Sequence, residues 1–322
     1  MIRIVFLGTP EFAVPTLERL IEWPAAEVVA VVAQPDRPAG RGNKLRKPAT
    51  AQVAAAHGIQ LLQPERLSRS PETVEAMRAL APDVLVMVAF GQILKKAVLY
   101  MAPHGVVNLH GSLLPRYRGA APINWAIING ETKTGVTTML SDEGVDTGKM
   151  LLKREMTIGA NATAGEIAVE LADIGADLMI ETLACLTAGK LDPETQDDSL
   201  STYAPLLKKE MGRIDWSKPA QDVHNLVRGL LPWPGSYTHF QDSLIKVTRT
   251  ALSAESRSQT AVPGTIVSVS DSIRVACGAE GTDTLELIEV KPENRAAMKA
   301  RDWANGVRLQ SGAIFGQVVD GQ

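Results

Sequence analysis

Residues 83–90 read Asp-Val-Leu-Val-Met-Val-Ala-Phe, and from Val84 to Val88 the run is apolar without a break. A strand with one solvated face alternates apolar and polar residues. An unbroken apolar run therefore predicts a strand covered on both faces, as in a parallel sheet between helices. The flanking pattern agrees. Residues 2–8 form a second apolar run ending at Gly8. Pro10 opens a helix through Leu20 and Ile21, with Phe12, Leu17 and Leu20 on one stripe. Residues 27–33 and 59–62 read as strands, 49–57 as a helix closed by Gly58, and 71–80 as another helix. Strand alternating with helix specifies an α/β unit with a Rossmann-like, open, mostly parallel sheet. Ligands of such sheets sit beyond the carboxyl ends of the strands. Gly8, Phe90-Gly91 and the stretch from Asn108 to Pro115 fall there.

With 322 residues there is room for two domains, and the pattern changes after residue 189. Residues 135–140 and 149–156 read as strands bracketing a loop with Asp142, Glu143 and Asp146, and 164–187 as a long helix. Residues 190–208 are polar and are expected to be a linker. A helix over 220–231 follows, and then five short strand-like runs, 237–240, 244–251, 264–269, 273–277 and 284–290. Short strands separated by glycine and polar turns suggest a small OB-like antiparallel β-barrel over 209–322. The first domain is accordingly expected over 1–189.

Charge and cysteine usage narrow the function. A net charge of −3 with 4% aromatic residues argues against a dedicated nucleic-acid binder with a basic face and stacking platforms. Any polyanion contact must come from a local patch. From Lys209 onward thirteen basic residues face thirteen acidic ones, which leaves Lys208, Lys209, Lys246 and Arg249 as weak candidates there. Residues 35–48 do concentrate charge: Arg37, Arg41, Lys44, Arg46 and Lys47 stand against Asp36 alone, with three prolines and two glycines arguing against regular structure. Cys185 and Cys277 have no metal-ligand spacing, so a reduced chain without a metal is expected. No apolar run reaches membrane-spanning length and no leader pattern precedes Ile2, so a cytoplasmic protein without membrane contact is expected. Gly8-Thr9-Pro10 is not the G-x-G-x-x-G turn of dinucleotide sites, which disfavours a nicotinamide-dependent oxidoreductase.

The chemistry-bearing residues lie in Val106-Val107-Asn108-Leu109-His110. As a strand this run projects Asn108 and His110 to one face, where an amide and an imidazole can hold one carbonyl oxygen from two directions. Taken alone, Asn-x-His is more often a strand end whose polar groups satisfy nearby backbone. Asp146 adds a carboxylate able to manage a proton. Amide, imidazole and carboxylate together suit acyl transfer to an amine. Asp142 and Glu143 read as solvated loop acids, and His104, His224 and His239 as structural or surface residues.

Longer blocks decide among these readings. His110-Gly111-Ser112-Leu113-Leu114-Pro115-Arg116-Tyr117-Arg118-Gly119-Ala120-Ala121-Pro122-Ile123 resembles the folate-site signature of the methionyl-tRNA formyltransferase family. Gln34-Pro35-Asp36-Arg37-Pro38-Ala39-Gly40-Arg41-Gly42 resembles that family's loop insertion, and Leu140 to Gly148 its catalytic-aspartate loop. Arg213-Ile214-Asp215-Trp216 and Pro232-Trp233-Pro234-Gly235 resemble its C-terminal markers. Leu231 and Ser141 depart from it, standing where asparagine and methionine are usual. The resemblance implies formyl transfer from 10-formyltetrahydrofolate to methionyl-initiator tRNA, and a monomer is expected. Catalytic roles would fall to Asn108, His110 and Asp146, and folate contacts to Ser112, Leu113, Leu114 and Pro115. Contacts to tRNA would come from Arg37, Arg41, Lys44, Arg46 and Lys47. The central block is shared with formyltransferases that act on sugar-nucleotide or ribotide amines, which remain alternatives, as does a non-catalytic RNA-binding protein.

Overall fold

Ile4, Val5, Phe6 and Leu7 are all fully buried, as a strand sandwiched between two layers requires. They belong to the computed structural model of the chain, which describes residues 1–39, 44–253 and 258–316. Seven strands form the main sheet: β1 (Ile2–Gly8), β2 (Ala26–Val32), β3 (Gln60–Leu62), β4 (Val84–Val88), β5 (Val106–His110), β6 (Lys133–Leu140) and β7 (Met150–Thr157). Their order is β7-β6-β5-β4-β1-β2-β3. The pairs β1–β2, β1–β4, β2–β3 and β4–β5 are parallel, and β6 runs antiparallel to β5. The chain order reverses between β1 and β4, so the crevice beyond Gly8 and Val88 lies at a topological switch point.

Local signals set the helix ends. The first helix starts later than Pro10 suggests: Glu11–Ala13 is a 3₁₀ turn and the α-helix spans Val14–Glu22. Pro15 explains the shift, because a residue without an N–H is best placed in the first helical turn. The long helix occupies Ala164–Thr187, as the pattern predicts. Its start is a reciprocal cap, in which Thr163 N–H donates to Glu166 Oε2 at 2.8 Å and Glu166 N–H donates to Thr163 Oγ1 at 3.3 Å. The Thr163 N–H bond, together with the Thr163 hydroxyl donating to the same carboxylate oxygen at 2.9 Å, holds the Glu166 carboxyl below its ordinary range.

Residues group into two compact units, Met1–Pro122 with Thr134–Thr157 and Ala168–Pro205, and Ile123–Lys133 with Ile158–Ile167 and Leu206–Gln322. In the second unit β8 (Ser236–Phe240), β9 (Ser243–Leu252), β10 (Ile266–Val269), β11 (Ile273–Cys277) and β12 (Asp283–Pro292) make an antiparallel sheet of order β8-β9-β12-β11-β10. Met298–Lys299 also pairs with β12. The helix Ala300–Gly306 was not foreseen: seven residues are too few to show a period. It places Trp303 against Phe240 and Phe315, and Phe315 stacks on Trp216. The early segments join this unit through backbone carbonyls. Arg228 donates to the Gly159 and Ala162 oxygens, His224 Nε2 lies 3.1 Å from the Ala160 oxygen, and Asn124 donates to the Gly229 oxygen. Among the described residues no helix is long and apolar enough to cross a membrane.

Candidate active site

Leu109 faces the helix Ala164–Thr187 so closely that a Cβ on Gly175 would lie 2.5 Å from its Cδ2. Asn108 and His110, one residue to either side, therefore project from the opposite face of the sheet. Each is only 6% exposed. No hydrogen bond to the Asn108 side-chain amide forms among the described residues. Among the described residues only Thr16 Oγ1 and Ser141 Oγ are sealed from solvent without a partner, so the Asn108 amide keeps some solvent access and is open to a ligand.

His110 is oriented by its other side. Its Nε2 lies 2.8 Å from the Tyr117 carbonyl oxygen. A carbonyl only accepts, so Nε2 carries the proton in this arrangement. Nδ1 then faces Asp146, with Nδ1 and Oδ2 3.6 Å apart. It can donate toward a substrate only when the ring is an imidazolium; as a neutral ring it is an acceptor. Sequence reading brought the three residues together but left open which nitrogen is available.

Asp146 sits in the β6–β7 loop with a positive φ of 55°, a backbone region that aspartate tolerates better than most residues. Its Oδ2 accepts the Gly119 N–H at 2.8 Å. Gln196 Nε2 donates to the carbonyl oxygens of Asp146 and Gly148, each at 2.8 Å. Gly148 has to be glycine, because a Cβ there would fall 1.7 Å from the Leu140 oxygen. Arg118 Nε donates to Gln196 Oε1 at 2.9 Å, completing the clamp. Sequence reading missed Gln196 and Arg118, since the first lies in the segment expected to be a linker. That segment also bridges Met150 through Glu194 and pairs Tyr203–Ala204 with Arg118–Gly119. Asp142 and Glu143, though exposed, are engaged: Asp142 accepts from Gly144 N–H and Thr147 Oγ1, and Glu143 pairs with Lys96 at 3.1 Å.

A cavity of about 120 Å³ adjoins Asp146, lined by Met87, Ile93, Leu94, Leu99, Met139 and Val145 with Gln92, Ser141 and Glu143 among its polar groups. Ile93 is 70% exposed and Val145 51%, so apolar surface stands open at its mouth. The Ser141 hydroxyl is buried without a hydrogen-bond partner among the described residues. Ser112, Leu113, Leu114 and Pro115 do not line this cavity. Ser112 Oγ donates to the Arg116 oxygen, Leu114 N–H to Thr137 Oγ1, and Leu114 packs behind Met139 and Met150.

Among its described residues the basic stretch contains regular structure that its prolines argue against. Arg37–Ala39 pairs with Lys44–Arg46 as a two-stranded ribbon, with Pro38 opposite Leu45. A two-stranded ribbon has an unpaired outer side on each strand, which is where proline is tolerated. Arg37 pairs with Glu65 at 2.8 Å and Arg46 with Glu11 at 2.7 Å, both exposed, and Lys47 is exposed. Arg41 lies outside the described residues.

A family profile described as "Formyl transferase" matches residues 2–183, and one described as "Formyl transferase, C-terminal domain" matches 206–308. The methionyl-tRNA formyltransferase of Citrifermentans bemidjiense is 51% identical over 316 residues, 98% of this chain and 96% of that protein. That of Ruminiclostridium cellulolyticum is 48% identical, over 98% of this chain and all of the relative. The chain belongs to the methionyl-tRNA formyltransferase family. The fold is shared more widely than the family. An N-formyltransferase from Helicobacter canadensis, solved with folinic acid and dTDP-3-aminofucose, superposes with a TM-score of 0.68 at 18% identity, covering 89% of this chain and 99% of that one. Membership in the methionyl-tRNA formyltransferase family thus rests on sequence identity along the whole chain, and the architecture on both.

Proposed function

We propose that this protein transfers the formyl group of 10-formyltetrahydrofolate to the α-amino group of methionine esterified to initiator tRNA. The observation that carries the reading is the convergence of the unpartnered Asn108 amide, His110 Nδ1 and the Asp146 carboxylate beside a cavity with an open apolar mouth. The cavity fits a flat heteroaromatic ring with polar edges. Ile93, Leu94, Leu99 and Val145 offer apolar faces, while the buried Ser141 hydroxyl and the Asp142–Asp146 loop offer polar partners. Of Ser112 to Pro115, Leu114 serves it indirectly by packing with Met139.

The amine nitrogen attacks the formyl carbon and negative charge grows on the formyl oxygen. Asn108 donates an amide N–H to that oxygen, and protonated His110 donates from Nδ1. Removing one such donor typically costs about 10²–10³ in rate. Asp146 takes the proton that the attacking nitrogen must lose, and a proton returns to the folate nitrogen as its bond to the formyl carbon breaks. Gln196 and Gly119 hold Asp146 in place for this. The basic stretch of residues 35–48, Arg41 among them in sequence, supplies cationic contacts to the tRNA backbone.

The test offers the purified protein 10-formyltetrahydrofolate and charged initiator tRNA, with free methionine, charged elongator tRNA and water as competing acceptors. N-formylmethionine confined to initiator tRNA is the expected product. Binding of tRNA without formyl transfer would instead favour a non-catalytic RNA-binding role, and transfer to an amino sugar nucleotide a different acceptor.

A further inference from the structure

A short parallel pairing fastens residues 202–204 to residues 117–120. Tyr117 N–H donates to Thr202 Oγ1 at 2.8 Å. Arg118 N–H donates to the Thr202 oxygen and Ala120 N–H to the Ala204 oxygen, each at 2.9 Å. Ala204 is fully buried, whereas Tyr203, held between the same bonds, is 66% exposed. The Tyr203 ring lies on the Gly119 backbone: a Cβ there would fall 2.8 Å from Tyr203 Cε2 and 3.2 Å from Cδ2. A φ of 114° independently restricts this position to glycine. The Gly119 N–H is also the group that donates to Asp146 Oδ2 at 2.8 Å. One residue thus stands between the proposed acid–base carboxylate and an aromatic ring fixed at its base and open to solvent. Exposed aromatics scattered singly are ordinary surface. Tyr203 differs in its backbone anchorage and in what it adjoins.

Resting on the acceptor reading above, we propose that Tyr203 stacks on the base of the 3′-terminal adenosine of tRNA and so sets the aminoacyl end against Asp146. The amine that loses its proton to Asp146 belongs to an amino acid esterified to the ribose of that nucleoside. With the amine at the carboxylate, the base is only an ester link and a ribose away. Tyr203, beyond Gly119, is the exposed ring on that path. A tyrosine ring offers a flat surface at little entropic cost, and stacking requires no particular base edge. Phosphate contacts hold the tRNA without registering its last base, and a ring beside the acid registers it.

Equilibrium binding of uncharged initiator tRNA to the whole protein tests this without requiring turnover. The comparison is between an intact 3′ terminus and one whose terminal ribose lacks its base. Unaltered protein is expected to bind the intact form about 5–50-fold more tightly, the range for one base on one aromatic ring. In Tyr203→Ala the ratio falls to about one by the same reckoning, and Tyr203→Phe and Tyr203→Trp keep it. Tyr203→Leu separates stacking from support: it retains bulk on Gly119 without a π face, so its ratio also falls. A ratio near one in unaltered protein overturns the proposal, as does a Tyr203→Leu variant that keeps the full ratio. So does a Tyr203→Ala variant with the ratio intact and only kcat lowered, which would make Tyr203 a support for Gly119 and Asp146. Failure to bind either tRNA, with no formyl transfer, removes the underlying acceptor reading instead.

Discussion

Gln196 holds Asp146 by its backbone, donating from Nε2 to the Asp146 carbonyl oxygen at 2.8 Å and, from the same nitrogen, to that of Gly148. The proposed acid–base group is thus positioned by a residue 50 places further along the chain. Arg118 in turn fixes Gln196, so the β6–β7 loop is braced from outside as well as by its own bonds to Asp142. Replacing Gln196 with leucine leaves two carbonyls unpaired and frees the loop. Displacing a reacting group by an ångström costs on the order of 10²-fold, so kcat should fall about 10–100-fold. In an Asp146→Asn background the same change should cost little more. A full further loss, measured by single-turnover formylation, would mean that Gln196 acts elsewhere.

His110 and Asp146 face each other across 3.6 Å and are expected to work as a pair. His110→Ala and Asp146→Ala should each slow single-turnover formylation by about 10²–10⁴-fold. The double variant should lose much less than the product of the two, because removing either partner already disables the other. Multiplicative losses would show independent roles.

Arg41→Ala should raise the KM for charged tRNA while leaving that for the folate unchanged. If Arg41 contacts a phosphate, the slope of log affinity for tRNA against log salt should also flatten by about one. Equal changes in both KM values would refute the contact.

His224 gives the second unit a defined pH dependence. It is 2% exposed, with Nδ1 2.8 Å from Thr250 Oγ1 and Nε2 3.1 Å from the Ala160 carbonyl oxygen. Burial first, and nearby Arg228 to a lesser degree, hold its pKa below the ordinary 6.5. The unfolded chain therefore takes up this proton before the folded one does. Its contribution to stability is intact above about pH 6.5 and is lost as pH falls from there through the folded value. Denaturant midpoints between pH 8 and pH 5 should drop less steeply for His224→Gln, which keeps a donor toward Ala160. Parallel curves would exclude the effect.

Much of the sheet was legible in residue order, and the reason is visible strand by strand. Val84–Val88 is apolar on both faces because helices cover both, and that coverage leaves its mark on every residue of the run. The Thr163–Glu166 cap and the end of the long helix are equally local. The helix Ala300–Gly306 and the pairing of residues 37–39 with 44–46 were not legible. One is too short for a period, and the other has strands of three residues whose pairing outweighs the turn-forming prolines.

The same division runs through the candidate site. Alternation along β5 puts Asn108 and His110 on one face, and residue chemistry marks Asp146 as their partner; both follow from neighbours in the chain. Neighbours do not disclose that the Tyr117 carbonyl occupies Nε2, that Gln196 reaches back to the Asp146 loop, or that Ser112 and Leu114 are buried without lining the cavity. Those facts depend on which groups meet after residues from seven to fifty places apart are packed together. A hydrogen bond needs its donor and acceptor within about 3 Å, a proximity that periodicity and composition do not encode.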